Sequence, residues 1–300
     1  MVDQLTLDHL KGAPLSLFES TVQHVDEPQR GFDAYLGAAH NRYLGSGHRR
    51  VALQMSEPAQ ERALEFTCTA RMTYPEDWSQ KAGVERTPHL STVDAIRIAG
   101  KVRASLTRHG SFAEFADERS LTVRAGARPW EQLGAVPVHT AVALDPEHDE
   151  LVLQHSVGTL KVESRLARAS DVPIVDEGWA PGEASDIRFD ADRRVQCTYD
   201  RRATEPSLMS FLEAMMLAAQ MSQVALYGGD PKARDRSGNM WMRRARFVRH
   251  TARPQSASVV DLQLQNRRNV MVGGRAIDTA DVLADDVFGV QVSASLATES

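Results

Sequence analysis

Hydrophobic positions recur along this chain with two periods, and their order predicts a protein that mixes helix and strand. The densest run is Leu208–Leu226, LMSFLEAMMLAAQMSQVAL, which contains no Gly or Pro. Leu, Met and Ala favour helix. Apolar residues fall on every side of the wheel, so the pattern predicts a helix buried nearly all round. Thr204-Glu205-Pro206-Ser207 offers a polar start with a proline suited to a first turn, and Gly228-Gly229 offers a stop. A second helix is predicted over TVDAIRIAGKVRASL, ending near Leu106 and opened by Pro88-His89-Leu90-Ser91.

Elsewhere the period is close to two. In Arg62–Met72, Leu64, Phe66, Cys68 and Ala70 share one face, the mark of a half-buried strand. Further strands are predicted at about His48–Met55, Ser120–Arg128, Val136–Leu144, Leu151–Leu166, Ile187–Tyr199, Met240–Arg249, Ser258–Gln265, Val270–Asp278 and Val287–Leu296. Residues 1–30 carry only a short helix signal at Leu15–Val22 and read as an N-terminal extension. Residues 169–186, rich in Pro, Gly and acids, read as a linker between units at 31–168 and 187–300.

The two units repeat. HLSTVDAIRIAGKV, from His89, can be laid on LMSFLEAMMLAAQM, from Leu208, which places Ser91 on Ser210 and Asp94 on Glu213. Cys68-Thr69 then matches Cys197-Thr198 if the first unit has a loop ten residues longer (94 − 68 = 26; 213 − 197 = 16), and Arg124 falls on Arg243. Strand, loop, buried helix and then several antiparallel strands, twice over, is the profile of an α+β double hot-dog. In that fold two antiparallel sheets each wrap a long helix.

Composition narrows the function. The chain is 42% hydrophobic and 25% charged with a net charge of -5, and it has no polybasic block, so nucleic acid and anionic membranes are not expected partners. Glu213, Gln220 and Gln223 interrupt the apolar run and argue against a membrane span. The start, MVDQLTLDHL, lacks a basic segment followed by an apolar core, so a cytoplasmic protein is expected. Two cysteines, Cys68 and Cys197, form neither a zinc pair nor a disulfide framework and are expected to be buried and inert. No dinucleotide fingerprint is present, and no metal or cofactor is expected.

Glu213 would sit in a poorly solvated place, where burial raises a carboxyl pKa and suits it to proton transfer. The alternative is an ion pair with Arg243 or Arg244. Asp94 holds the matching place in the first unit, and His89 either caps that helix or faces a pocket. Arg243 and Arg244 alternate across their strand, and either can grip a phosphate; Arg124 is the repeat partner of Arg243. Asn239 and Trp241 precede them as candidate pocket residues. Ser91 and Ser210 read as helix caps, whose free N–H groups can hold a carbonyl oxygen as it gains charge. Met209, Met215, Met216 and Met221 suit either an acyl tunnel or a core.

Two stretches resemble known enzymes. Phe211-Leu212-Glu213-Ala214-Met215 resembles the helix motif of the hot-dog dehydratases of fatty-acid synthesis, and Arg243–Arg249 resembles the strand that follows it. Across its length the chain resembles the AvrD (avirulence protein D) family, through DAYLGAAHNRYLGSGHRRV, PHLSTVDA and SGNMWMRRARF. That resemblance implies a link to syringolide-type signals, built from a β-ketoacyl chain and a pentulose-like sugar. Related A-factor-type synthases, also double hot-dogs, join a β-ketoacyl thioester to a dihydroxyacetone-type partner. The dehydratases carry a catalytic His upstream of the helix Glu. Here the usual spacing reaches Tyr199-Asp200 with no His, so Tyr199 is at most a substrate contact.

The resemblance therefore implies a condensing acyltransferase with Glu213 as base. It would act on acyl groups delivered by acyl carrier protein or coenzyme A, pass them to a small sugar or polyol, and work as a monomer or homodimer. Dehydration or hydrolysis of an acyl thioester is the nearest alternative, and a non-catalytic acyl-binding module is a further one.

Overall fold

The computed structural model describes residues 31–81, 84–85, 87–108, 112–126, 128–169, 182–201, 207–228, 232, 234, 240–250 and 256–299. The N-terminal extension with its Leu15–Val22 helix, and most of the expected linker, lie outside the described residues. A short helix, α1 (Phe32–Leu36), leads to β1 (Ala52–Met55), β2 (Ala59–Arg62), β3 (Glu65–Thr73) and a small ribbon of β4 (Gln80–Lys81) and β5 (Val84–Glu85). Helix α2 (Thr92–Arg108) precedes β6 (Phe115–Arg124), β7 (Val136–Asp145), β8 (Glu150–Val157) and β9 (Leu160–Arg168). The second half begins with β10 (Glu183–Phe189) and β11 (Arg194–Asp200). Helix α3 (Phe211–Tyr227) follows, and then β12 (Met240–Arg249), β13 (Ala257–Val272), β14 (Arg275–Val287) and β15 (Val290–Glu299).

The strand order is β1-β3-β7-β8-β9-β6-β12-β15-β14-β13-β11-β10, with β2 added on β3. Read inward from either end, the succession is the same: β3 corresponds to β11, β7 to β13, β8 to β14, β9 to β15 and β6 to β12. The repeat seen in the letters is thus a repeat of topology. Cys68 lies opposite Val138 on β7, and Cys197 lies opposite Val260 on β13, the matching place. One expectation is corrected here. The two halves do not form two separate sheets, because β6 and β12 pair through Leu121↔Phe247 and their neighbours into one continuous sheet. Pairing removes two edges whose backbone groups would otherwise stay open.

Each helix lies on the strands of its own half. Thirteen of the 17 residues of α3 are buried, against β11, β13, β14 and β15, as the all-round apolar pattern requires. In α2 nine of 17 are buried, against β6, β8 and β9, leaving a polar stripe. One apolar cluster joins both halves, from Phe32 to Leu296. Among the described residues no helix is long and apolar enough to cross a membrane.

Three predicted strands are interrupted by turns. Leu151–Leu166 bends at Gly158 (φ 53°), and Ile187–Tyr199 bends at Asp190–Arg193, with Arg193 at φ 61°. Val270–Asp278 spans Gly273-Gly274, the turn between β13 and β14, where both glycines have positive φ. A two-residue turn reverses the chain without breaking the alternation that the sequence displays. Strand β1 starts only at Ala52, because Gly47–Arg50 winds into a 3₁₀ turn.

The sheet also holds a buried titratable group. His155 on β8 is 1% exposed, its Nδ1 lies 2.8 Å from Thr140 Oγ1, and burial lowers its pKa to about 3. The ring stays neutral when folded, while the unfolded chain takes up a proton below about pH 6.5. Stability from this group is therefore lost as pH falls below about 6.5. Between pH 6.5 and 4.5 the loss is about 2 kcal/mol, because the full slope of ~1.4 kcal/mol per pH unit is reached only once the unfolded histidine is mostly protonated. Urea unfolding of wild type and His155→Gln at pH 7, 5.5 and 4.5 should show a steeper acid slope in wild type. Parallel slopes would remove His155 as the cause.

Candidate active site

The start of α2 is built as a reciprocal cap. Ser91 N–H donates to Asp94 Oδ2 at 3.1 Å, and Asp94 N–H donates to Ser91 Oγ at 3.1 Å. A cap needs no more than this, yet three hydroxyls converge on the same carboxylate oxygen. Ser91 Oγ donates to Asp94 Oδ2 at 2.6 Å, Tyr43 OH donates at 3.0 Å, and Tyr74 OH makes a shorter bond. Tyr43 OH and Ser91 Oγ are themselves 2.6 Å apart. Asp94 is wholly buried; its Oδ1 lies 3.7 Å from Arg97 Nη1.

Local sequence explains how the tyrosines arrive. The segment Arg42–Gly47 is wound so tightly that a Cβ at Gly45 or Gly47 would overlap the carbonyl of Ala39 or Trp78. Arg42 ties that segment to the rest of the protein. It donates to Gly37 O at 2.8 Å and to Gln220 Oε1 on α3 at 3.0 Å, and pairs with Asp33 at 2.7 Å. Tyr74 follows β3 directly and stacks on Tyr43, with ring centroids 6.4 Å apart and planes at 20°. Trp78 meets both edge-on, at 5.3 and 5.0 Å. Burial first, and then the Asp94 charge, hold both phenols above their usual pKa, so at neutral pH they keep their protons and donate. His48, behind Tyr43, donates from Nδ1 to Tyr43 O (3.0 Å), and burial lowers its pKa to about 4.

A cavity of about 640 Å³ opens beside this cluster, within the size of small-molecule sites (about 300–1,000 Å³). Tyr43, His89 and Ser91 reach it from the first half, and Met215, Ala219 and Gln223 of α3 from the second. Met240, Trp241, Met242 and Arg243 of β12 close another side, and Arg128 joins Arg243 as an exposed cation in the lining. The His89 ring lies 5.3 Å from Trp241 and 6.4 Å from Trp78. Of the residues singled out from sequence, the fold brings Ser91, His89, Trp241 and Arg243 to this cavity, with Asp94 one hydrogen bond behind. Arg124 lies opposite Arg244 on the β6–β12 junction, and neither lines the cavity. Asn239 lies outside the described residues.

The equivalent helix start is arranged differently. Ser210 caps α3 by accepting from Glu213 N–H at 3.1 Å. Ser210 is thus the cap, as expected of it, rather than the earlier Thr204–Ser207 stretch, of which 204–206 lie outside the described residues. Both oxygens of Glu213 are met by Arg201, Nε to Oε1 at 3.0 Å and Nη2 to Oε2 at 3.1 Å, and the pair is almost wholly buried. Arg201 also donates to Ser207 O at 2.6 Å. The carboxylate's partner is thus Arg201 rather than Arg243 or Arg244, and Glu213 does not line the cavity. Tyr199 belongs to this second cluster; burial and Glu213 raise its phenol, and its oxygen accepts from Gly182 N–H at 3.0 Å. Cys197 is buried as expected, whereas Cys68 is only half-buried; burial pushes their thiols up to about 12 and about 11, which disfavours the thiolate.

Sequence reasoning passed over Tyr43, Tyr74 and Arg201. Tyr43 lies within the conspicuous NRYLGSG segment, whose closely spaced glycines mark a tight turn. Tyr74 and Arg201 stand at strand ends in ordinary-looking sequence, where no local pattern marks them.

Fold and cavity together define, among the described residues, a duplicated α+β protein with one large antiparallel sheet, two long helices and a ligand-sized cavity lined from both halves. The chain belongs to the Pseudomonas avirulence D protein (AvrD) family, whose model matches residues 28–173 and 201–299. No curated protein matches it. Among solved structures, it is similar to the tesB protein of Mycobacterium avium subsp. paratuberculosis, at 12% identity and TM-score 0.43, covering 81% of this chain and 95% of that one. An acyl-CoA thioesterase II from Mycobacterium marinum is similar at 11% identity and TM-score 0.39, covering 80% and 94%. The dehydratase domain from the CurJ module of curacin polyketide synthase is similar at 11% identity and TM-score 0.38, covering 82% and 96%.

The buried pair gives a test of its own. Removing one partner strands the other charge, at a cost of about 3–5 kcal/mol, whereas replacing both by apolar groups restores much of it. Glu213→Gln and Arg201→Met should each lower urea stability by that order, and Arg201→Met/Glu213→Leu should recover most of the loss. Single variants as stable as wild type would show that the pair is not structural.

Proposed function

We propose that the protein is an acyl-transfer enzyme. It takes the acyl group of a β-ketoacyl thioester and passes it to a hydroxyl of a small sugar or polyol, within a double hot-dog arrangement. The observation that carries this reading is the buried Asp94 carboxylate, coupled through the hydroxyls of Ser91 and Tyr43 to a cavity with a largely apolar wall. Membership of the AvrD family, and the syringolide-type products that the resemblance implies, supply the substrate class.

Each part of the cavity has a physical role in such a reaction. Met215, Ala219, Met240 and Met242 make a deformable apolar wall for the acyl chain. Thr92 and Val93, in the first turn of α2, line the cavity, and the positive end of that helix would stabilise a thioester oxygen as it gains charge. Arg243 and Arg128 hold an anionic group of the substrate or its carrier, coenzyme A or acyl carrier protein. Asp94 takes the proton of the attacking hydroxyl through the hydroxyl of Ser91 or Tyr43, which line the cavity, and Tyr74 OH helps keep its charge stabilised. His89, between Trp78 and Trp241, positions the acceptor. Glu213, held by Arg201, acts in packing rather than in chemistry.

Incubation with a short β-ketoacyl thioester and a panel of trioses and pentuloses, followed by mass spectrometry, should give an acylated acceptor. Asp94→Asn should lower its formation by about 10²–10⁴-fold while the protein stays folded. An enoyl product would favour dehydration, and free acid formed regardless of acceptor would favour hydrolysis. Unchanged turnover in Asp94→Asn would place the base elsewhere.

A further inference from the structure

The capping serine of α2 differs from its counterpart on α3 in one respect that capping does not explain. Both Ser91 and Ser210 accept the N–H of the residue three places on, at 3.1 Å. Ser210 is buried and lies away from the cavity, and the acid it caps is engaged by a guanidinium. Ser91 lines the cavity, and its Oγ lies 2.6 Å from a buried carboxylate oxygen and 2.6 Å from a phenol. A hydroxyl beside a base, with a third group orienting both and helix N–H groups alongside, is the arrangement of an activated nucleophile.

We infer that Ser91 is the nucleophile and that transfer passes through an acyl ester on its Oγ. This rests on the acyl-transfer reading above and adds a covalent step to it. Ser91 Oγ attacks the thioester carbonyl carbon as its proton passes to Asp94 Oδ2. The carbonyl oxygen becomes an oxyanion at the start of α2, and Tyr43 OH, 2.6 Å from Ser91 Oγ, is placed to donate to that Oγ when the ester is later cleaved. Collapse of the oxyanion breaks the C–S bond, and the thiolate leaves with the proton from Asp94, so free thiol and O-acyl-Ser91 are formed. An acceptor hydroxyl then attacks the ester carbon, giving its proton to Asp94 by way of Tyr43 OH, which lines the cavity and bonds to Asp94 Oδ2. Ser91 Oγ leaves and takes that proton back. No oxidant or reductant enters at any point.

The test uses the full-length protein and two probes: a fluorophosphonate, and a β-ketoacyl N-acetylcysteamine thioester supplied without acceptor. Intact-mass analysis after rapid acid quench should show one adduct per chain from each probe, and peptide mapping should place it on Ser91. Ser91→Asn, which keeps a capping oxygen but has no nucleophile, should stay folded and lose both adducts. Ser210→Ala, which removes the equivalent cap, should keep them. Absence of an adduct at Ser91 from both probes, or transfer at the wild-type rate by Ser91→Asn, would overturn the inference. The two layers separate cleanly. An adduct that no sugar or polyol discharges keeps Ser91 as nucleophile and removes the acceptor reading. Acylated acceptor formed without any adduct does the reverse.

Discussion

Two carboxylates are buried at equivalent helix starts, and each must be compensated, because an ionised group removed from water without partners is costly. Asp94 and Glu213 meet that requirement in opposite ways. A guanidinium takes up both oxygens of Glu213 in a fixed fork, which leaves a closed and permanent pair. Hydroxyls gather on one oxygen of Asp94, and two of the groups around it also face a cavity. Hydroxyls can exchange protons and reorient, whereas a guanidinium in this setting does neither. The two helix starts differ in that choice of partner: one acid is closed off by a guanidinium, the other lies behind hydroxyls that line a cavity.

The duplication gives the asymmetry its setting. Topology repeats from β3 to β6 and from β11 to β12, and even the cysteines keep their places opposite Val138 and Val260. What changed lies in short segments outside the repeated strands. The Arg42–Gly47 turn brings Tyr43 to α2. The residues just after β11 bring Arg201 to α3. The same topology thus carries two helix starts whose surroundings differ, one beside a cavity and one closed by an ion pair.

The sequence made the scaffold legible and left the site half hidden. The all-apolar run of α3 and the alternation of β3 report burial directly, because water removes the alternatives for those residues. Asp94, Ser91, His89, Trp241 and Arg243 were visible as candidates, since a charge or an aromatic in such a run is conspicuous. Which carboxylate faced a cavity was not visible. That depended on Arg201 and Tyr74, which follow the ends of β11 and β3 and carry no local pattern that marks them. The turns at Gly158 and Gly273-Gly274 were likewise hidden, because two residues of reversal leave the hydrophobic alternation on either side intact.

The β6–β12 pairing has a consequence for how the molecule comes into being. Phe115–Arg124 finds its partner more than a hundred residues later, in Met240–Arg249. During synthesis the first half therefore emerges with a strand edge that nothing yet covers, which is the kind of surface that recruits stray strands. The wait ends only when the second half has been made, so joining both copies on one ribosome product keeps the proper partner close at hand. A gene that encoded the halves apart would leave that edge to chance encounter.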